Sequence, residues 1–207
     1  MKSVAILLFD HVEVLDFAGP FEVFSVAGRR EVGEPFEVFT VAEKSLVSAR
    51  NKLMVSPTYT FETCPPCDLF LIPGGGGFYP DGTPFGSRKE MNNPVMLDWI
   101  RQRAETAEHV LSVCTGALIL ARAGLLEHQE ATTHYLAVDQ LRAISPTIRV
   151  SPEKRWVDNG KIILSAGVSA GIDMAFHVVS LQQGTMVARE AAAYMQYEGW
   201  PQGSLSA

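Results

Sequence analysis

Short, nearly continuous apolar runs alternate along this chain with longer segments in which apolar positions recur at helical spacing. The runs predict strands over residues 2–9, 36–41, 69–72 and 109–113, and the periodic segments predict helices over 17–27, 94–104 and 117–123. Strands that are apolar on both faces belong to a mostly parallel sheet covered by helices on each side, so the expected fold class is α/β. Toward the carboxyl end, residues 156–164 read as a hairpin, because Asn159-Gly160 favours the left-handed turn that joins two strands. Residues 171–182 and 186–195 are expected to close the fold as helices. No repeat, low-complexity tract or linker breaks this pattern, and residues 1–207 are expected to form one domain.

In an open parallel sheet the ligand sits beyond the carboxyl ends of the strands, which gathers the residues after Phe9, Ile72 and Val113 around one crevice. The third of these points is Ser112-Val113-Cys114-Thr115-Gly116, which reads as strand, sharp turn and helix with a nucleophile at the turn. Small residues at Ser112 and Gly116 let strand and helix pass closely, and the start of the helix is expected to favour the thiolate of Cys114. The competing reading is a buried core cysteine at a strand end. After the first strand, Asp10, Glu13 and Asp16 place three carboxylates near the same crevice. A carboxyl beside a thiolate is held protonated by like-charge repulsion and then donates a hydrogen bond to sulfur; Asp16 equally suits an ordinary helix N-cap.

The run Gly74-Gly75-Gly76-Gly77 lacks a phosphate-loop pattern. Its backbone N–H groups, with that of Thr115, are expected to meet negative charge growing on an atom attacked by Cys114, unless the run is only a flexible turn. His134, in Ala131-Thr132-Thr133-His134, is a candidate partner for a Cys–His pair or a structural hydrogen-bonding residue.

Composition narrows the function. Hydrophobic residues make up 47% and charged residues 19% of the 207, enough to bury a full core. With 17 basic against 23 acidic side chains, a net charge of −6 and no Lys/Arg block, binding to nucleic acid by this chain alone is not expected. No apolar stretch suits a signal peptide or a membrane span, so the expected location is cytoplasmic. Three cysteines argue against a disulfide framework. Cys64-Pro65-Pro66-Cys67 has C-x-x-C spacing, but it precedes a strand rather than opening a helix and lacks a second ligand pair, so it is expected to be a turn fixed by its prolines.

Taken in order, Leu15-Asp16-Phe17-Ala18-Gly19-Pro20, the Cys64–Asp68 segment, Ile72-Pro73-Gly74-Gly75, the Cys114 elbow, Ala131-Thr132-Thr133-His134 and Ala170-Gly171-Ile172-Asp173 resemble the ThiJ/PfpI superfamily, which is glutamine amidotransferase-like. Within it, the chain is most similar to the isonitrile hydratases, over nearly its whole length. The resemblance implies a flavodoxin-like three-layer sandwich, a homodimer, a small-molecule substrate and no metal or organic cofactor. It also implies a hydro-lyase in which Cys114 is the nucleophile, Asp16 its acidic partner, Thr115 a shaper of the site and Gly75 a backbone donor, with Gly76 beside it. Non-enzymatic redox or ligand sensing and an amidase-type hydrolase are the other classes in view. Against the hydrolase, Thr115 stands where the peptidase-like branch has a histidine after the nucleophile. Two departures from the hydratase pattern stand out. Segment 76–92 is longer and richer in Gly and Pro; Phe78, Tyr79 and Phe85 are expected to line an apolar pocket, and Arg88 to meet an anionic ligand or bulk solvent. Its Gly86-Ser87-Arg88 also resembles relatives joined to an AraC-type helix-turn-helix, a unit that residues 197–207 are not expected to contain.

Overall fold

Seven strands build the central sheet of the computed structural model, which describes residues 1–29, 32–198 and 200. They are β1 (Ser3–Leu8), β2 (Glu37–Ala42), β3 (Tyr59–Thr60), β4 (Leu69–Ile72), β5 (His109–Val113), β6 (Trp156–Asp158) and β7 (Ile162–Ser165). Their order across the sheet is β6-β7-β5-β4-β1-β2-β3, and every neighbouring pair is parallel except β6 with β7. That one antiparallel pair is the hairpin expected at Asn159-Gly160. The three central strands are apolar almost throughout because both of their faces are covered: Val4 to Leu8 in β1 and Leu69 to Ile72 in β4 are fully buried.

The main helices are α1 (Val14–Val26), α2 (Pro94–Thr106), α3 (Gly116–Arg122), α4 (Val138–Ile144), α5 (Ala170–Gln183) and α6 (Thr185–Tyr194). α1, α5 and α6 pack on one another, while α3 packs on α4, so the sheet is flanked as a flavodoxin-like sandwich. α2 starts on a real cap, the Asn93 side chain accepting from the N–H groups of Val95 and Met96, with Pro94 at its first position. No helix among the described residues is long and apolar enough to cross a membrane.

β3, α4 and two short ladders, Val47–Ser48 with Met54–Val55 and Glu130–Ala131 with Arg149–Val150, are additions to the sequence reading. Strand pairs of two residues are too short to show alternation. Segment 76–92 is a small hairpin, Gly76–Phe78 against Pro84–Gly86, followed by one helical turn, Ser87–Glu90. Its aromatic residues do not line the crevice. Phe78 is 58% and Tyr79 44% exposed, and Phe85 packs against Tyr79 and His11 with ring centroids 4.5 and 5.0 Å apart, forming a cluster outside the cavity described below. The turn ahead of β4 falls at residues 61–63, closed by the Cys64 N–H on Thr60 O at 2.9 Å, and not between Cys64 and Cys67 as the sequence suggested; Cys64–Cys67 is an irregular link in which Arg103 donates to Cys64 O at 3.1 Å. Of the tail, residues 199 and 201–207 lie outside the described residues, and the expectation about a helix-turn-helix there with them.

Candidate functional site

Cys114 leaves β5 and enters α3 at φ 57, a left-handed conformation that costs a non-glycine residue of order 1–3 kcal/mol. The surrounding backbone fixes it there. Its N–H donates to Ala166 O at 3.0 Å, just beyond β7, and its carbonyl accepts from Thr133 Oγ1 at 2.8 Å. Gly116 gives the close approach that the sequence predicted: a Cβ there would stand 2.2 Å from Ile72 O at the end of β4. Ser112 is fully buried with its hydroxyl unpartnered, so its value to the elbow is its size.

α1 begins three residues earlier than its apolar spacing indicated, which puts Asp16 inside the first helical turn instead of at the N-cap; the cap position is Glu13, and its side chain makes no capping bond. The displaced carboxyl points inward and is fully buried. Its Oδ2 accepts the Gly74 N–H at 3.0 Å, while Oδ1 is buried without a hydrogen-bond partner, and the carboxyl adjoins Cys114. A Cβ on Gly74 would lie 2.4 Å from the Thr115 nitrogen and 3.0 Å from Asp16 Oδ2, so this contact exists only with glycine. Burial pushes the Asp16 carboxyl up to about 7, helped by the negative charge of Glu13 and opposed by the Gly74 N–H and by Cys114.

Cys114 departs from expectation. Burial, reinforced by the charge of Asp16, pushes its thiol up to about 12, against the backbone N–H groups of Val168 and Thr115 that face the sulfur. The start of a seven-residue helix is outweighed by loss of solvent and by a carboxylate alongside. Near neutral pH the proton of this pair therefore rests on sulfur, and moving it to the Asp16 carboxylate is uphill.

Thr115 organises the glycine loop. The Gly75 N–H donates to Thr115 Oγ1 at 3.0 Å, and Ser87 Oγ lies 2.6 Å from Gly75 O and 2.8 Å from Thr115 Oγ1, all of it buried. Gly75 is thus not a free donor toward a substrate, because its N–H is already engaged. The two N–H groups aimed at sulfur come from Thr115 and from Val168, a residue that sequence reading missed. Val168 has φ 46, rare for a β-branched side chain, and follows β7 in the small-residue run Ser165-Ala166-Gly167. A further strand end of small residues at the same edge of the sheet was the available signal.

A cavity of about 330 Å³ opens above Cys114, with Glu13, Gly76, Arg88, His134 and Val168 among its walls. His134 and Cys114 share this cavity but make no hydrogen bond. The His134 Nδ1 accepts from the Leu136 N–H at 3.3 Å, so a neutral ring carries its proton on Nε2. Burial and the Arg88 charge hold that imidazole below its usual range. The oriented Cys–His–acid set that an amidase requires is therefore not assembled. Arg88 is half-buried rather than a solvated loop charge, and its Nε donates to Gln140 Oε1 at 3.2 Å.

These features can be set beside known proteins. Isonitrile hydratase of Pseudomonas putida is 34% identical over 200 residues, covering 96% of this chain and 80% of that protein. The HTH-type transcriptional regulator CdhR of Pseudomonas aeruginosa is 27% identical over 88% of this chain, which spans only 51% of that regulator. Among solved structures, a THiJ/PfpI family protein from Pseudomonas syringae superposes with a TM-score of 0.82 at 27% identity, covering 100% of this chain and 79% of that one. Drosophila melanogaster DJ-1beta shares the fold at a TM-score of 0.76 and 18% identity, covering 94% of this chain and 97% of its own. The family match itself runs over residues 2–181, from the first strand through the elbow and into α5, and on that extent the chain belongs to the DJ-1/PfpI family.

Proposed function

We propose that this chain is a cysteine-dependent hydratase that adds water to an isonitrile, R–N≡C, and releases the N-formamide, working as one domain with Cys114 as nucleophile and Asp16 as the proton carrier. The observation that carries the reading is the buried pair itself: a carboxyl pushed up to about 7, one oxygen held by Gly74 and the other unpartnered, beside a thiol that has no histidine on it. The 34% identity to the Pseudomonas putida isonitrile hydratase supports it.

Such a pair suits addition to an isonitrile carbon, which must gain both a proton and a nucleophile. Asp16 relays the thiol proton to the terminal carbon as sulfur bonds to the same atom, giving the thioimidate R–N=CH–S on Cys114. Water then adds across the C=N bond, Asp16 taking one of its protons and the nitrogen gaining one, to give R–NH–CH(OH)–S. The C–S bond breaks, the hydroxyl proton returns to sulfur, and R–NH–CHO leaves. The backbone N–H groups of Val168 and Thr115 meet the sulfur whenever it bears negative charge. Every step conserves oxidation state overall, and none calls on a metal or organic cofactor.

A ligand-sensing role is the second reading, favoured by the regulators of which this chain spans about half. Redox sensing draws on an accessible thiolate of low pKa, whereas Cys114 is 5% exposed and its thiol is pushed up. The deciding experiment is formamide production from cyclohexyl isocyanide by the wild type, Cys114→Ala and Asp16→Asn. Turnover is expected in the wild type, none in the cysteine variant, and about 10²–10⁴-fold less with Asp16→Asn. Wild-type protein with its thiol reduced and no formamide formed would move the assignment to ligand sensing.

A further inference from the structure

Among the charged side chains around the cavity, Arg88 is the one without a counter-ion. Arg50 and Glu13 face each other at 3.5 Å and cancel. Asp16, beneath the floor, is committed to Gly74 and Cys114. Arg88 is half-buried, lines the cavity and has one side-chain hydrogen bond, from Nε to the neutral Gln140 at 3.2 Å; among the described residues no carboxylate lies within ion-pair distance of it. Arg88, Cys114 and His134 line the same cavity. Taking a guanidinium out of bulk water is unfavourable unless something negative meets it.

We infer that the substrate of this site carries a carboxylate and that Arg88 binds it, with the isonitrile carbon of the same molecule reaching Cys114. This rests on the hydratase reading of Cys114 and deepens it by naming the substrate class. The geometry of the arginine favours a carboxylate. With Nε turned to Gln140, the free edge is the pair of terminal nitrogens, whose parallel N–H groups match the two oxygens of one planar carboxylate. With Glu13 offset by Arg50, Arg88 supplies one uncompensated positive charge to the lining, which matches a monoanionic carboxylate. The position of Arg88 also explains the enlarged 76–92 segment. The Gly76–Phe78/Pro84–Gly86 hairpin ends in the turn that holds Ser87 against Thr115 and sets Arg88, the next residue, at the cavity wall.

Potassium isocyanoacetate and methyl isocyanoacetate differ only in that charge, so their kcat/KM values on wild type, Arg88→Gln and Arg88→Lys test the inference. The wild type is expected to prefer the carboxylate, and Arg88→Gln to lose about 10–100-fold more on the carboxylate than on the ester, through KM. Arg88→Lys, which keeps the charge without the fork, is expected to restore part of the preference and covers the case of a misfolded glutamine variant. Equal rates on the two substrates in the wild type, or equal losses on both in Arg88→Gln, would overturn the inference while leaving the hydratase standing. If neither isonitrile is turned over, calorimetric titration of Cys114→Ala with N-formylglycine and its methyl ester decides separately. Binding of the acid alone, lost when Arg88→Gln is added, upholds the carboxylate site without the hydratase, and no binding of the acid removes both.

Discussion

Cys67 and Cys114 are both buried, both adjoin a strand of the same sheet, and burial pushes both thiols upward, to about 11 and about 12. What differs is the company each keeps. Beside Cys67 are Cys64 and the Arg103 guanidinium, and its backbone is an irregular link before β4, without a left-handed φ. Around Cys114 converge a strained φ of 57, a buried carboxyl with an unpartnered oxygen, two backbone N–H groups and a cavity of about 330 Å³. A raised thiol pKa therefore reports burial in both places. Polar groups buried at an energetic cost, and aimed at one atom, separate a reactive site from a core cysteine.

The contrast is tested most strongly at Asp16. Its carboxyl is held up to about 7 in the folded protein, whereas an unfolded aspartate titrates near about 4. Its contribution to stability is full below the unfolded value and is lost as pH rises through the folded one, because the folded state binds the proton more tightly. Between pH 5 and pH 8.5 the wild type is expected to lose about 1–4 kcal/mol relative to Asp16→Asn, which stays neutral throughout. Urea unfolding of both proteins at the two pH values measures this, and parallel pH dependence would show that the carboxyl beside Cys114 is no more perturbed than an ordinary one.

Next in size is the network behind the nucleophile. Thr115→Val keeps the shape but removes the acceptor of the Gly75 N–H and the neighbour of the Ser87 hydroxyl, both buried. The expected cost is about 1–3 kcal/mol of stability, with a fall in kcat as the Gly74–Gly76 loop loses its anchor. A variant as stable and as active as the wild type would mean that the elbow is held by the Ala166 and Thr133 bonds alone.

Much of this was legible in the chain. The continuous apolar runs gave β1, β4 and β5 and so the edge at which Cys114, Gly74 and the loop after Phe9 meet, while Asn159-Gly160 gave the hairpin. The failures have physical causes. α1 starts early because Val14 and Leu15 extend its apolar pattern back through a loop rich in carboxylates, and that shift turned Asp16 from a candidate cap into a buried acid. The thiolate was expected from a local effect, the helix terminus, and was overruled by burial and Asp16, which only the tertiary structure brings together. Val168 was missed because its contribution is a backbone N–H, announced only by the small-residue run Ser165-Ala166-Gly167 before it. The aromatic residues of 76–92 were read as pocket walls from their position in the chain, but Tyr79 and Phe85 pack on His11 and Phe78 is exposed.

The smallest expected effect comes from the other cysteine, and it bounds the comparison from below. Cys67 belongs to the core that includes Ala5 and Leu69, and the Ala5 N–H and the Arg103 charge act on its sulfur, but it does not line the cavity above Cys114 and, among the described residues, no buried unpartnered carboxyl adjoins it. Cys67→Ala removes one heavy atom from that packing, and the expected loss is about 1 kcal/mol, of the size seen for small deletions in cores. No atom that contacts Cys114 or Asp16 moves, so formamide production at pH 7.5 is expected to remain at the wild-type rate. A loss of turnover with stability intact would mean that the Cys64–Cys67 link communicates with the site through β4, whose carboxyl end leads to Gly74 and its bond to Asp16. In that case burial would no longer be an adequate account of the second thiol.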